Sequence, residues 1–398
     1  MGFSMVIRRR LMSILLGLAA GLIPLNRLEA APLRGVWLTN IDSAVLYDPQ
    51  NLTQALERLE DLGVNTLYPT VWNGGYTLYP SATGKAWFGK PQLPEFGGRD
   101  FLAELIPQAR ARNQRVIAWF ELGLMTPAEA PWLQNRRDWL TQTATGETIW
   151  LEGKTLPRVW LNPLHPEVQR LMTELLVDLV TRYDLDGIQL DDHFGYPAEM
   201  GYDPLTVAQF QADHGGENPP LPPALDPQQD CVSQNRRWQA WVDWRAERLT
   251  EFTETLVKTL RRSKPGLIIS VSPNPQTFSK NCFLLDWQAW QKRGLIDELA
   301  LQVYRRDFGA FQRELLKPEV QRVKEEIPVL VGVLAGLKGA PMPLADLEAQ
   351  VRWAQNQGFS GVSFFFYESL WNFGPESPAL RQKALRELLD QRRHAPKN

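Results

Sequence analysis

The sequence predicts an α/β protein, a (β/α)8 TIM barrel with long βα-loop insertions at the C-terminal rim. From Leu33 onward, β-rich apolar runs alternate with stretches of helical periodicity to the end of the chain. There are eight of each, and the extra length collects after strands. A doubly wound open sheet is the other arrangement this alternation allows, but no glycine-rich phosphate loop follows the first strand. With 398 residues, 44% of them hydrophobic, the chain can bury a large core.

The first segment stands apart from this repeat. Arg8, Arg9 and Arg10 precede an uncharged apolar run from Leu11 to Leu25, and Leu28-Glu-Ala30 offers a small residue for cleavage. Residues 1–30 therefore read as a signal peptide. The run is about 15 residues, short of the ~20 that span a bilayer. The expected product is exported to the periplasm or envelope, with no stable membrane insertion after cleavage. The barrel is assigned to residues 31–391 and a short tail to 392–398.

The strands are expected at Leu33–Leu38, Asn65–Val71, Arg115–Phe120, Gly187–Leu190, Leu267–Ser272, Glu298–Tyr304, Pro328–Leu334 and Gly361–Phe366. The helices between them are expected at Asn51–Leu62, Phe101–Arg112, Pro166–Tyr183, Arg236–Arg262, Trp287–Arg293, Phe308–Glu325, Leu344–Gln357 and Pro378–Arg392. The long connections are 73–99, 122–165 and 193–235. Each follows a strand, which places it on the rim where barrel enzymes carry their chemistry. The third is rich in proline (Pro219, Pro220, Pro222, Pro223, Pro227) and shows no obvious helix of length.

Lys+Arg 43 against Asp+Glu 45 leaves no basic excess to track phosphates, so nucleic acid is not an expected partner. The 15 tryptophans need a large core or a surface that binds with flat rings, and sugars suit such a surface. Cys231 and Cys282 fall on loops after the fourth and fifth strands, neighbours on one rim, where a disulfide would staple the proline-rich loop. Neither cysteine has metal-type spacing, and the four histidines are scattered.

Strand parity identifies the inward side chains. In Asp186-Gly-Ile-Gln-Leu-Asp191, Ile188 and Leu190 share the helix-facing side, so Gln189 and Asp191 point into the barrel. In Val116-Ile-Ala-Trp-Phe-Glu121, Glu121 lies on the side of Trp119. Adjacent strands run about 4.8 Å apart, so carboxylates at these two ends can reach the roughly 5–9.5 Å separation of a glycosidase pair. Asp192 begins the next loop, and Phe364-Phe-Phe-Tyr-Glu368 adds another carboxylate near the rim. Asp191 is the expected nucleophile or base and Glu121 the acid, with Asp192 or Glu368 as alternative acids. His193, Gln302, Tyr304 and Asn162 are expected to bind sugar hydroxyls. Of the rim tryptophans Trp37, Trp72, Trp119, Trp160 and Trp371, Trp72 is the expected stacking platform, with Trp37 and Trp119 also assigned to substrate. This chemistry needs no cofactor. Two other classes stay open: a glycan-binding barrel without catalysis, and a metal-assisted hydrolase or lyase using Asp191, Asp192 and His193.

Four segments resemble the glycosyl-hydrolase-like family 10 of bacterial exported proteins: Leu33-Arg-Gly-Val-Trp-Leu-Thr39, Leu62-Gly-Val-Asn-Thr-Leu-Tyr-Pro69, Asp186-Gly-Ile-Gln-Leu-Asp-Asp-His-Phe194 and Leu301-Gln-Val-Tyr304. The resemblance implies a barrel related to amylase-type glycoside hydrolases, acting on polysaccharide and, for part of the family, on glycan of the bacterial envelope. It also implies that Asp191 occupies the place of the fourth-strand catalytic carboxylate. The amylase-type pattern takes its acid from a glutamate after the fifth strand, where this chain has Ser270-Val-Ser-Pro-Asn-Pro-Gln276. The related third strand ends Ala-Trp-x-Asn, whereas this chain has Ala118-Trp-Phe-Glu121, which makes Glu121 the candidate acid.

Overall fold

The computed structural model describes residues 31–390, so the leader and the tail lie outside the described residues. Eight parallel strands close into a barrel in chain order: β1 (Leu33–Leu38), β2 (Thr66–Pro69), β3 (Arg115–Phe120), β4 (Gly187–Asp191), β5 (Ile268–Ser272), β6 (Glu298–Gln302), β7 (Val329–Leu334) and β8 (Gly361–Phe365), which returns to β1. Around them lie α1 (Pro49–Asp61), α2 (Phe101–Ala111), α3 (Pro166–Arg182), α4 (Arg236–Ser263), α5 (Trp287–Lys292), α6 (Phe308–Leu315), α7 (Pro318–Glu326), α8 (Leu344–Asn356) and α9 (Pro378–Leu389). The helix expected over Phe308–Glu325 is two helices. Pro318 has no N–H to continue the ladder and starts the second one.

The parity holds in three dimensions. Ile188 and Leu190 join the layer between barrel and helices. The barrel's own interior is a separate cluster of Trp37, Tyr68, Ile117, Trp119, Ala300, Leu330 and Phe366. Polar groups thread this interior and satisfy one another. Trp37 Nε1 donates to Gln189 Oε1 at 2.7 Å, Gln189 Nε2 to Ser270 Oγ at 3.0 Å, and Ser270 Oγ and the Tyr68 hydroxyl to Glu298 Oε1 at 3.2 and 2.9 Å. Arg115 closes the bottom with a 2.9 Å ion pair to Glu298, so the buried acid is compensated.

The three long connections are structured. The first holds a short hairpin (Trp72–Asn73 with Tyr76–Thr77) and a helix, Ala82–Phe88. The second holds a three-stranded antiparallel sheet of Met125–Pro127, Trp150–Glu152 and Leu156–Trp160. The third, expected to lack a helix of length, contains Pro204–Asp213. Its start was legible in Asp203-Pro204, an N-cap carboxylate followed by proline at the first position; Asp203 Oδ1 accepts from Thr206 N at 3.0 Å. Cys231 and Cys282 are disulfide-bonded, tying the proline-rich loop to the helix Gln276–Phe283 that follows β5. Among the described residues no helix is long and apolar enough to cross a membrane.

Candidate active site

β4 ends on Asp191, and its register with β5 sets Asp191 opposite Ser272. Ser272 Oγ donates to Asp191 Oδ1 at 2.7 Å, and Gln302 Nε2, from the end of β6, donates to the same oxygen at 2.9 Å. The Gln302 amide is fixed by a second bond to Ser272 O at 2.7 Å. His193 Nδ1 stands 3.2 Å from Asp191 Oδ2 and 3.1 Å from Asp192 Oδ1, and so bridges the two carboxylates. Asn274 Nδ2 donates to Asp192 Oδ2 at 2.6 Å. The Trp160 ring lies along the imidazole, with centroids 5.9 Å apart at 25°.

Burial and the adjacent Asp192 carboxylate raise the Asp191 pKa, while the His193 imidazolium holds Asp192 below the usual range in spite of burial. Burial works against the charge on His193, but the two carboxylates outweigh it and hold its pKa well above that of a free imidazole. The aspartates titrate as a pair. When the pair binds a single proton, the remaining negative charge sits on Asp192.

Glu121 follows β3. Trp119 pairs with Gln189 and Phe120 with Leu190, and one further step along that register sets Glu121 beside Asp191. Its Oε2 accepts from Asn73 Nδ2 at 2.7 Å and from Thr70 Oγ1 at 3.3 Å. Burial nevertheless dominates and lifts its pKa to about 7, against the lowering pull of Asn73, His193 and Thr70. Gly123, at φ +48, lets this segment pass against the His193 backbone. A Cβ there would stand 2.4 Å from His193 O.

Tyr304 is half-buried, packs on Phe365 at 5.2 Å, and feels the charges of Asp191 and Asp192. The structure thus gathers Glu121, Asp191, Asp192, His193, Gln302 and Tyr304 at one mouth.

Other expected site residues lie elsewhere. Glu368 accepts from Ser43 Oγ at 3.1 Å and from Asn372 Nδ2 at 2.8 Å, and faces α1 instead of the aspartate pair. Asn162 is fully buried: Nδ2 donates to Asp203 Oδ1 at 2.8 Å and to Thr206 Oγ1 at 3.0 Å, and Oδ1 accepts from Leu164 N at 2.9 Å. It braces a loop and offers nothing to a sugar. Trp72 is also fully buried, stacked on Phe120 at 5.5 Å with its N–H on Gly123 O, so it is core and no platform. Trp37 is sealed inside the barrel with its N–H spent on Gln189. Trp119 is buried between Trp37 and Phe365, its Nε1 without a protein partner. Trp371 is buried under Arg58.

Sequence reasoning missed Ser272, Asn73, Asn274, Phe365 and Trp150. Ser272 had a signal, since it shares parity with Ser270 on a strand whose other residues are apolar. Asp191, Asp192 and His193 each present one atom within 4.8 Å of the others, a set able to hold a cation. The imidazole Nδ1 is already engaged between the carboxylates, which favours an ion pair there.

The family model described as glycosyl hydrolase-like 10 matches residues 32–355. The Escherichia coli (strain K12) protein named glycosyl hydrolase DigH is 25% identical over 311 residues, 71% of this chain and 64% of its own length. The Bacillus subtilis (strain 168) glycosyl hydrolase YngK is 23% identical over 326 residues, 74% of this chain and 59% of its own. The chain therefore spans less than two thirds of these relatives. Among solved structures, the glycoside hydrolase domain of PgaB (BpsB) from Bordetella bronchiseptica superposes with a TM-score of 0.63 at 18% identity, covering 91% of this chain and 99% of that one. The catalytic domain of a Paenibacillus polymyxa beta-amylase gives 0.59 at 11%, covering 91% of this chain and 100% of that one. At those identities the likeness is one of fold.

Proposed function

Since the chain belongs to the glycosyl hydrolase-like 10 family, we propose that it hydrolyses glycosidic bonds of a polysaccharide, with Glu121 as the acid and the Asp191–Asp192 pair as the anionic partner. The observation that carries this reading is the contrast in protonation at one mouth. Glu121 keeps its proton up to about pH 7, while Asp192 is held ionised by His193. Glu121 protonates the leaving oxygen. The pair supplies the negative charge that attacks the anomeric carbon or activates water. Gln302 and Ser272 orient Asp191, His193 holds the pair's charge in place, and Tyr304 offers a hydroxyl to the sugar.

The substrate we propose is glycan of the bacterial cell envelope, met after export. Three observations support this. Arg8 to Leu25 has the form of a leader, the Cys231–Cys282 bond fits an oxidising compartment, and the motifs resemble a family of exported proteins.

The test is to incubate the protein with purified envelope glycan strands and with α- and β-glucans, following reducing ends and product masses. Glu121→Gln, Asp191→Asn and Asp192→Asn are run alongside. Release of oligosaccharides that each substitution abolishes is the expected result. Binding of a glycan without cleavage by any protein would favour a glycan-binding barrel, and activity lost to a chelator and restored by a divalent cation would favour a metal-assisted reaction.

A further inference from the structure

The sheet that follows β3 brings a tryptophan to the rim. In its hairpin Trp150 pairs with Arg158, Leu151 with Pro157 and Glu152 with Leu156. Side chains alternate along a strand. Ile149 and Leu151 turn outward, each 53% exposed, and Trp150 turns the other way, towards the mouth. There it meets Trp160 at 5.8 Å and 75° and Phe283 at 6.4 Å and 80°. Trp160 is the ring that lies along His193. Trp150 is thus two ring contacts from the imidazole that bridges Asp191 and Asp192.

Both neighbours meet Trp150 edge to face, so neither ring lies flat on the indole, and the residue is half-buried. Its indole lies near Glu199, whose carboxyl pKa burial raises. The other half-buried tryptophans are differently placed. Trp87 lies under Arg136 and Arg170, Trp244 stacks on Trp241 at 5.3 Å and 14°, and Trp353 packs against Phe311 of α6 on the barrel's outside. A flat, partly open ring two ring contacts from His193 suits the apolar face of a sugar.

We infer that Trp150 is a sugar-stacking platform that grips the glycan at a unit beyond the two flanking the cleaved bond, so that the enzyme selects for chain length. The inference rests on the glycan-hydrolase reading above. It makes Trp150 a specificity residue that acts through binding, and it replaces the buried Trp72 in that role.

The experiment compares Trp150→Ala and Trp150→Phe with the parent on oligosaccharides of increasing length cut from the productive glycan. Trp150→Ala is expected to lower the ratio of kcat/KM for long over short chains about tenfold, through KM. Trp150→Phe, which keeps a flat ring, should recover most of it. An equal loss at every length, or a loss in kcat alone, would overturn the inference. Calorimetric binding of the longest chain to Glu121→Gln, with and without Trp150→Ala, separates the two readings. If the parent binds glycan but cuts none and Trp150→Ala weakens binding, the platform stands and the hydrolase reading falls. If no glycan binds or is cut, both fall.

Discussion

Gln302 Nε2 reaches Asp191 Oδ1 at 2.9 Å across the barrel mouth, from a strand two places round from the carboxylate it serves. The strand between supplies Ser272 to the same oxygen. Leaving a buried polar group short of its hydrogen-bond partner costs roughly 1–3 kcal/mol. Gln302→Ala should therefore lower kcat about 10- to 100-fold with little change in KM. Steady-state rates on a soluble oligosaccharide check this. A rise in KM alone would mean that Gln302 serves the sugar and not Asp191.

The protonation of Glu121 sets a pH dependence whose direction is fixed. Its folded pKa of about 7 lies above the ordinary 4.5, so the native state binds the proton more tightly than the unfolded chain does. Stability from this group is complete below about 4.5 and falls as pH rises towards 7, by at most about 3 kcal/mol. Cleavage should decline on the alkaline side through the same value. Glu121→Gln should gain stability relative to the parent as pH rises from 5 to 8. Denaturant unfolding of both proteins at those two pH values measures it, and a constant difference would sink the assignment.

Gly123 lets the chain after Glu121 pass beneath His193, and the Leu124 N–H bonds His193 O at 2.8 Å. Gly123→Ala adds a carbon 2.4 Å from that oxygen at a φ of +48, so the His193 backbone has to move. The expected result is a lowered Tm together with the loss of most activity in the protein that remains folded. Parental kcat in that fraction would show that the imidazole does not need this support.

The shape of the barrel was legible because its signals are local. β1 and β3 begin and end where the β-rich runs do, and the alternation in Gly187–Asp191 separates Ile188 and Leu190 from Gln189 and Asp191 by parity alone. Gln302 and Tyr304 were found in the same way. What local patterning cannot weigh is burial that depends on distant partners. Asn162 looked like a rim amide but is claimed by Asp203, forty-one positions on, and Trp72 lies under Phe120. Trp150 escaped notice because Ile149, Trp150 and Leu151 form too short an apolar run for parity to tell its two faces apart, although the turn at Gly153-Lys154 marks a hairpin.

Asn162 offers a check on that correction. Asn162→Ala removes three buried hydrogen bonds and leaves the Asp203 carboxylate short of a donor. A stability loss of about 2–4 kcal/mol is expected, with KM for glycan as in the parent. Thermal unfolding and KM, measured together, decide it: a raised KM at unchanged Tm would return the residue to the site.

Trp37, Tyr68, Ile117 and Trp119 plug the barrel one layer beneath Asp191, so no polymer can thread it. Under the proposed hydrolysis a strand lies across the opening, and both severed pieces leave by the way they came. On long chains the pace of successive cuts then depends on how readily the last piece lets go.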